Sequence, residues 1–256
     1  MVLSIFAFIF GAIVGSFLNV CIYRVPQGKS IVRPGSHCPA CNHSISFYDN
    51  IPFFSYLILK GRCRYCKTSI SPRYLVVELL TALLFLALYR TFGLTSELGV
   101  YMAFVALLIV ISFIDLDLQI IPDVLSLGGL LLGLALSFVR IPFSYKQAFL
   151  GVLVGGGILF LIAAGYQFFA KREGMGGGDI KLLAMIGAFC GIQGVIFALV
   201  LGSFVGALVG IPLMLAKGKD TKYAVPFGPF LSLGAIVYVL IGEAILYGYI
   251  HLVTGI

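Results

Sequence analysis

The sequence predicts an all-α polytopic membrane protein of about eight transmembrane helices, with a small cytoplasmic four-cysteine, zinc-ribbon-like loop domain. Three observations carry this prediction. Of the 256 residues, 61% are hydrophobic and 11% charged, with a mean hydropathy of +1.10; soluble domains carry about 25% charged residues. Apolar stretches near the length of a bilayer crossing recur along the whole chain. One polar segment, Arg24 to Arg73, is long enough to fold outside the bilayer, and it holds two CxxC pairs.

Spans are expected at Val2–Tyr23, Tyr74–Tyr89, Leu98–Ile114, Val124–Val139, Ala148–Ala170, Leu182–Cys190, Val195–Ala216 and Phe227–Leu252. Between the sixth and seventh, Cys190-Gly191-Ile192-Gln193-Gly194 is a weak break, so Leu182 to Ala216 also reads as one broken segment. The first stretch lacks a basic n-region; although Gly15-Ser16 suggests a small-residue cleavage site, it reads as a retained span. The domain division expected from this is 1–23 for the first helix, 24–73 for the loop domain and 74–256 for the membrane domain.

A net charge of +7 raises nucleic acid as a partner, but the basic residues cluster between apolar spans, as topology signals do. Fourteen fall on one side: Arg24 to Arg73 holds eight, Lys171, Arg172 and Lys181 follow span five, and Lys217, Lys219 and Lys222 follow span seven. The other side holds Arg90, Arg140 and Lys146. The positive-inside rule puts the rich side in the cytoplasm and both termini outside. The partners read from this pattern are membrane lipids, with no nucleic acid.

The loop domain has too few residues for a core alone to stabilise it comfortably. Cys38-Pro39-Ala40-Cys41 and Cys63-Arg64-Tyr65-Cys66, separated by 21 residues, offer a staple. Their spacing is close to a zinc ribbon. Four thiolates close a tetrahedral shell, so Zn(2+) bound by Cys38, Cys41, Cys63 and Cys66 would be structural. The alternative is a set of reduced thiols or a redox pair, since a reducing cytoplasm disfavours disulfides. His37 and His43 read as loop residues, and Cys21 and Cys190 as small buried hydrophobes.

Two acidic clusters lie at the expected cytoplasmic ends of spans. Asp179 follows Gly176-Gly177-Gly178, and Asp115, Asp117 and Asp123 share the polar stretch after Ile114. A carboxylate near hydrocarbon is costly and generally faces a polar cavity or does chemistry. Two carboxylates brought together can share a proton and activate water, as in aspartic proteolysis. Each has a plainer reading. Asp179 serves equally as an N-cap of span six, Asp123 as a loop charge or a cap at the start of span four, and Asp117 as a solvated loop residue. Charge alone does not choose among Asp115, Asp117 and Asp123.

The joint order of several motifs resembles the type IV prepilin leader peptidases, bacterial GxGD-class intramembrane aspartic proteases. These motifs are Gly15-Ser16-Phe17-Leu18-Asn19-Val20 with Tyr23-Arg24, the two CxxC pairs, Asn50-Ile51-Pro52 before Ser55-Tyr56, and Ser71-Pro72-Arg73-Tyr74 with Glu78-Leu79-Leu80-Thr81-Ala82. Ile114-Asp115 with Ile121-Pro122-Asp123, Gly176-Gly177-Gly178-Asp179-Ile180-Lys181 and Phe227-Gly228-Pro229-Phe230 complete the set. Leu75 departs from the family, many members of which have proline there.

The resemblance implies that Asp115 and Asp179 are the catalytic pair of an aspartic endopeptidase in the bacterial inner (cytoplasmic) membrane, its active site facing the cytoplasm. It implies removal of the leader from type IV prepilins and type II secretion pseudopilins, whose N-terminal helices would be partners. It also implies N-methylation of the new N-terminus with S-adenosyl-L-methionine, and the four cysteines match the zinc-bearing, bifunctional type. No glycine-rich nucleotide loop marks the methyl-donor site, and no residue is assigned to it. Asp117, Asp123 or Glu173 are candidates for contact with the basic leader, and Lys181 for an acidic pilin residue or a lipid headgroup. Two rival functions remain at this stage. A proton-coupled transporter would use the paired acids as a relay, and a non-enzymatic assembly factor would use the cysteine loop for docking.

Overall fold

The computed structural model describes residues 2–38, 40–139, 144–171, 176–216, 225–242 and 244–245. Among the described residues eight α-helices follow in order: α1 Val2–Arg24, α2 Phe54–Ile58, α3 Arg73–Phe92, α4 Ser96–Leu118, α5 Asp123–Phe138, α6 Tyr145–Ala170, α7 Gly177–Ala216 and α8 Gly228–Val237. A π-helical turn, Tyr238–Gly242, extends α8. Among the described residues there are no strands, only the isolated bridges His37–Ser44 and Arg62–Ser69.

The all-α membrane class is as expected, but the count of eight spans is not reproduced. Five helices among the described residues are long and apolar enough to cross a bilayer: α1, α3, α4, α6 and α7. Two shorter apolar helices are α5 and the Gly228–Gly242 segment. The expected spans six and seven form one 40-residue helical element, α7, interrupted at Gly191 with φ 64 and ψ −169. At about 1.5 Å per residue, 40 helical residues would reach roughly twice the thickness of the hydrocarbon core. The break falls inside the weak Cys190–Gly194 segment that the sequence marks. The far end of the expected eighth span lies outside the described residues.

The chain divides into two compact units, Met1–Val110 and Ile111–Ile256. In the first, α1 packs on α3. Gly11 and Gly15 bring the backbones together, because a Cβ on Gly15 would sit 2.7 Å from Glu78 Cα and one on Gly11 would sit 2.8 Å from Ala82 Cα. Small residues four apart permit such contact between membrane helices, where apolar surroundings supply little drive for association. The polar residues carried into this contact are satisfied there. Asn19 Nδ2 donates to Gly15 O at 3.3 Å and to Tyr74 O at 3.0 Å.

In the second unit, α7 is the centre, packed by α5, α6 and α8. Leu182, Leu183, Met185, Ile186 and Phe189 are fully buried on it. The α6–α7 contact is backbone to backbone: a Cβ on either Gly151 or Gly187 would collide with the other's main chain.

Candidate active site and metal centre

The helix α4 runs further than the sequence suggests. Asp115 and Asp117 do not sit in a loop; they belong to the last turns of α4, which ends at Leu118. Gln119, in the left-handed region at φ 54, stops the helix, its N–H donating to Asp115 O at 2.9 Å. Ile120 to Pro122 then lead into α5, whose first residue is Asp123.

This short turn positions the acids differently. Asp115 is buried, at 5% exposure, whereas Asp117 and Asp123 face outward. One Asp115 oxygen, Oδ2, accepts the Gly228 N–H at 2.9 Å. Gly228 is the first residue of α8, with Pro229 next. Thus the Phe227-Gly228-Pro229-Phe230 motif supplies a backbone donor from a helix N-terminus, whose N–H groups have no partner within the helix. Sequence reading of side chains alone misses Gly228, because what acts there is its main chain.

Asp179 sits in the first turn of α7, half-buried, its N–H donating to Gly176 O at 3.2 Å. It lies within the electrostatic reach of Asp115. Ile121 explains how the two segments approach. A Cβ on Gly178 would lie 2.9 Å from Ile121 Cβ, and one on Gly228 would lie 3.2 Å from Ile121 Cδ1. The glycine before Asp179 and the glycine bonded to Asp115 therefore both back onto one side chain.

Lys181 and Asp123 also find one another, Nζ to Oδ1 at 2.6 Å. The pair joins the α5 start to the α7 start, two residues beyond Asp179. Lys181 thus has an acidic partner within its own chain, and Asp123 does not cap α5, which has Pro122 at its N-cap and no side-chain cap bond. Glu173 lies outside the described residues.

In the first unit, Cys38, Cys41, Cys63 and Cys66 converge, their sulfurs all within 4.8 Å of one another. Cys38 Sγ and Cys66 Sγ stand 3.7 Å apart. Zinc–sulfur bonds of about 2.3 Å in a tetrahedron place sulfurs roughly 3.8 Å apart, so this donor set fits zinc. Backbone hydrogen bonds hold the set through two copies of one turn. Cys38 N–H donates to His43 O at 2.9 Å and Cys63 N–H to Thr68 O at 2.9 Å. Asn42 N–H returns to Cys38 O at 2.9 Å and Lys67 N–H to Cys63 O at 3.1 Å. Asn42 and Lys67 take the same left-handed turn, at φ 54 and φ 59.

The sequence carries this repeat, Cys-x-x-Cys-x-x-Ser-Ile-Ser from Cys38 to Ser46 and again from Cys63 to Ser71. The cysteine spacing alone does not draw attention to it. The Thr68 hydroxyl and backbone N–H bring the Cys66 thiol down to about 6, while, against a lowering His43 backbone bond, desolvation and the neighbouring thiols push Cys41 up to about 11. Arg64, inside the second turn, grips Asp49 with two bonds of 2.7 and 2.6 Å and holds its carboxyl below the usual range.

Comparison with known proteins agrees with both halves. The profile described as the bacterial peptidase A24 N-terminal domain matches residues 9–92. That of the type IV leader peptidase family matches residues 102–211. A relative from Aeromonas salmonicida (strain A449), named prepilin leader peptidase/N-methyltransferase, is 37% identical over 95% of this chain and 92% of its own length. The chain belongs to the type IV leader peptidase family. A Myxococcus xanthus relative of the same name is 45% identical over 84% of this chain, a match spanning 64% of that relative's length. One from Pseudomonas aeruginosa, again so named, is 35% identical over 94% of this chain and 91% of its own. No solved structure matches significantly. Nothing in these comparisons supports a transporter.

Proposed function

We propose that this protein is a prepilin leader peptidase and N-methyltransferase of the bacterial inner membrane. Asp115 and Asp179 are its catalytic acids, and they face the cytoplasm. It removes the leader of type IV prepilins and pseudopilins and then N-methylates the exposed residue with S-adenosyl-L-methionine. The observation that carries the peptidase reading is the approach of Asp115 to Asp179 at the ends of two apolar helices, with Asp115 buried and held by the Gly228 N–H. The basic residues, fourteen against three, support the cytoplasmic placement.

Two neighbouring carboxylates titrate as a pair, because both ionise together only at high cost. In the singly ionised pair, the ionised member takes a proton from water while its protonated partner hydrogen-bonds the scissile carbonyl. The resulting hydroxide equivalent attacks that carbon, and the proton passes to the leaving amine. Gly228 fixes one Asp115 oxygen; among the described residues the other carries no hydrogen bond and is available to water or substrate. A basic leader would remain in the aqueous phase while the apolar pilin helix lies among the spans.

The functional division follows as 1–23 anchor, 24–73 zinc-bound loop domain and 74–256 protease domain. Zinc on the four thiolates would be structural, since they leave no position open. The test uses purified protein in detergent with a prepilin. Asp115→Asn and Asp179→Asn should each abolish cleavage while expression is maintained. Wild-type processing by either variant removes that residue from the pair.

A further inference from the structure

Cleavage by Asp115 and Asp179 leaves a third buried acid without a task. Glu78, in α3, is only 8% exposed. Its Oε2 accepts the Phe53 N–H at 3.1 Å. Phe53 is held for this at φ 62 and ψ −53, with the Phe54 N–H donating to Pro52 O at 2.7 Å. That is a γ-turn of the strained kind. Among the described residues no cation pairs with Glu78.

Arg24 is its counterpart. It is 7% exposed and donates to the carbonyls of Ser30 at 3.1 Å and Gly35 at 3.2 Å, meeting no carboxylate among the described residues. A buried charge without an opposite partner is costly to hold. Here a buried carboxyl group and a buried guanidinium line one cavity and form no ion pair with each other.

That cavity is about 630 Å³, and all of its lining residues belong to the first unit. Small-molecule sites run from roughly 300 to 1,000 Å³. Tyr23 and Tyr74 are among its lining residues. A fitting ligand has a cationic and an anionic end and a flat apolar body that can rest on an aromatic ring. S-Adenosylmethionine has these features: a sulfonium, a carboxylate and an adenine.

We propose that this cavity is the methyl-donor site, with Arg24 facing the donor's carboxylate and Glu78 facing the sulfonium and the incoming amine. The inference rests on the N-methyltransferase reading above and gives it residues. Glu78 takes one proton from the N-terminal ammonium, freeing the nitrogen lone pair that forms the new N–C bond. The S–C bond breaks with its electron pair left on sulfur, giving S-adenosylhomocysteine, and the Glu78 proton returns to water.

The experiment is calorimetric titration of the purified full-length protein with S-adenosylmethionine and, separately, S-adenosylhomocysteine, alongside cleavage and methylation assays. Zinc content and prepilin cleavage report folding. Glu78→Gln should weaken S-adenosylmethionine at least tenfold more than S-adenosylhomocysteine, whose sulfur is a neutral thioether. It should reduce methylation about a hundredfold and leave cleavage within twofold. Val20→Trp, which fills the cavity, should remove binding of both ligands. If the wild type binds and methylates while both variants do the same, the donor site is elsewhere and the proposal is overturned. A wild type that cleaves but binds neither ligand instead overturns the methyltransferase reading itself.

Discussion

Gly228 donates its backbone N–H to Asp115 Oδ2 at 2.9 Å, although 113 residues separate them. The same glycine has no room for a side chain. A Cβ would stand 2.6 Å from Asp115 Oδ2 and 3.2 Å from Ile121 Cδ1. Gly228→Ala therefore pushes on the carboxylate and on Ile121, which also packs against Gly178. A displacement near 1 Å at a reacting group costs about a hundredfold in rate. We expect Gly228→Ala to reduce prepilin cleavage by about that factor, with methylation of pre-cleaved pilin retained. Cleavage at the wild-type rate would show that this contact does not position Asp115.

The Lys181–Asp123 pair lies at the same end of the second unit but has a different standing. Its side chains are 37% and 59% exposed, so the interaction contributes about 0–1 kcal/mol. Its consequence is local alignment of the α7 start, where Asp179 sits. Asp123→Asn and Lys181→Gln are each expected to reduce cleavage only a few-fold, without changing expression. The exchange Asp123→Lys with Lys181→Asp should recover part of the loss. A double variant no better than the singles, measured by the same cleavage assay, assigns the loss to something other than the pair.

The helices and the acids were legible in the sequence because hydrocarbon imposes long apolar runs and makes each charge conspicuous. The end of α4 was not, since Asp115-Leu116-Asp117 looks polar enough to be a loop and only Gln119's left-handed turn stops the helix. Gly228 was visible as part of a motif, but its role depends on a main-chain N–H meeting a residue far along the chain. The ion pair of Lys181 was hidden for a similar reason: charges that neutralise one another across 58 residues look, in sequence, like two separate surface charges. Glu78 lies within a recognisable motif, yet its significance rests on the cavity shared with Arg24.

The two cysteine turns make a prediction about equivalence. Cys38 and Cys63 are the buried members, at 6% and 9% exposure, and they occupy matching positions in the two turns. A tetrahedral site holds on all four ligands, and structural zinc supplies about 10–16 kcal/mol of apparent binding energy that is also folding energy. Cys38→Ser and Cys63→Ser should therefore lose zinc to the same degree, and chelator treatment of the wild type should reproduce their loss of loop-domain protection against protease. Elemental analysis of reduced protein provides the measurement. Full zinc occupancy in either variant removes that cysteine from the ligand set.

The break in α7 has a separate prediction, because its two critical glycines are constrained in different ways. Gly191 has φ 64 and ψ −169, with open space where a Cβ would stand. That backbone conformation is essentially confined to glycine, and a side chain there costs about 1–3 kcal/mol. Gly187 has ordinary helical backbone but faces the Gly151 main chain, so a Cβ meets atoms that no rotamer change can move. Gly191→Ala is thus expected to lower thermal stability moderately while the α6–α7 contact survives. Gly187→Leu should separate α6 from α7 and abolish accumulation of folded protein. Thermal unfolding followed by size-exclusion chromatography in detergent distinguishes them. If Gly191→Ala proves the more damaging, the break rather than the α6–α7 contact limits the stability of the second unit.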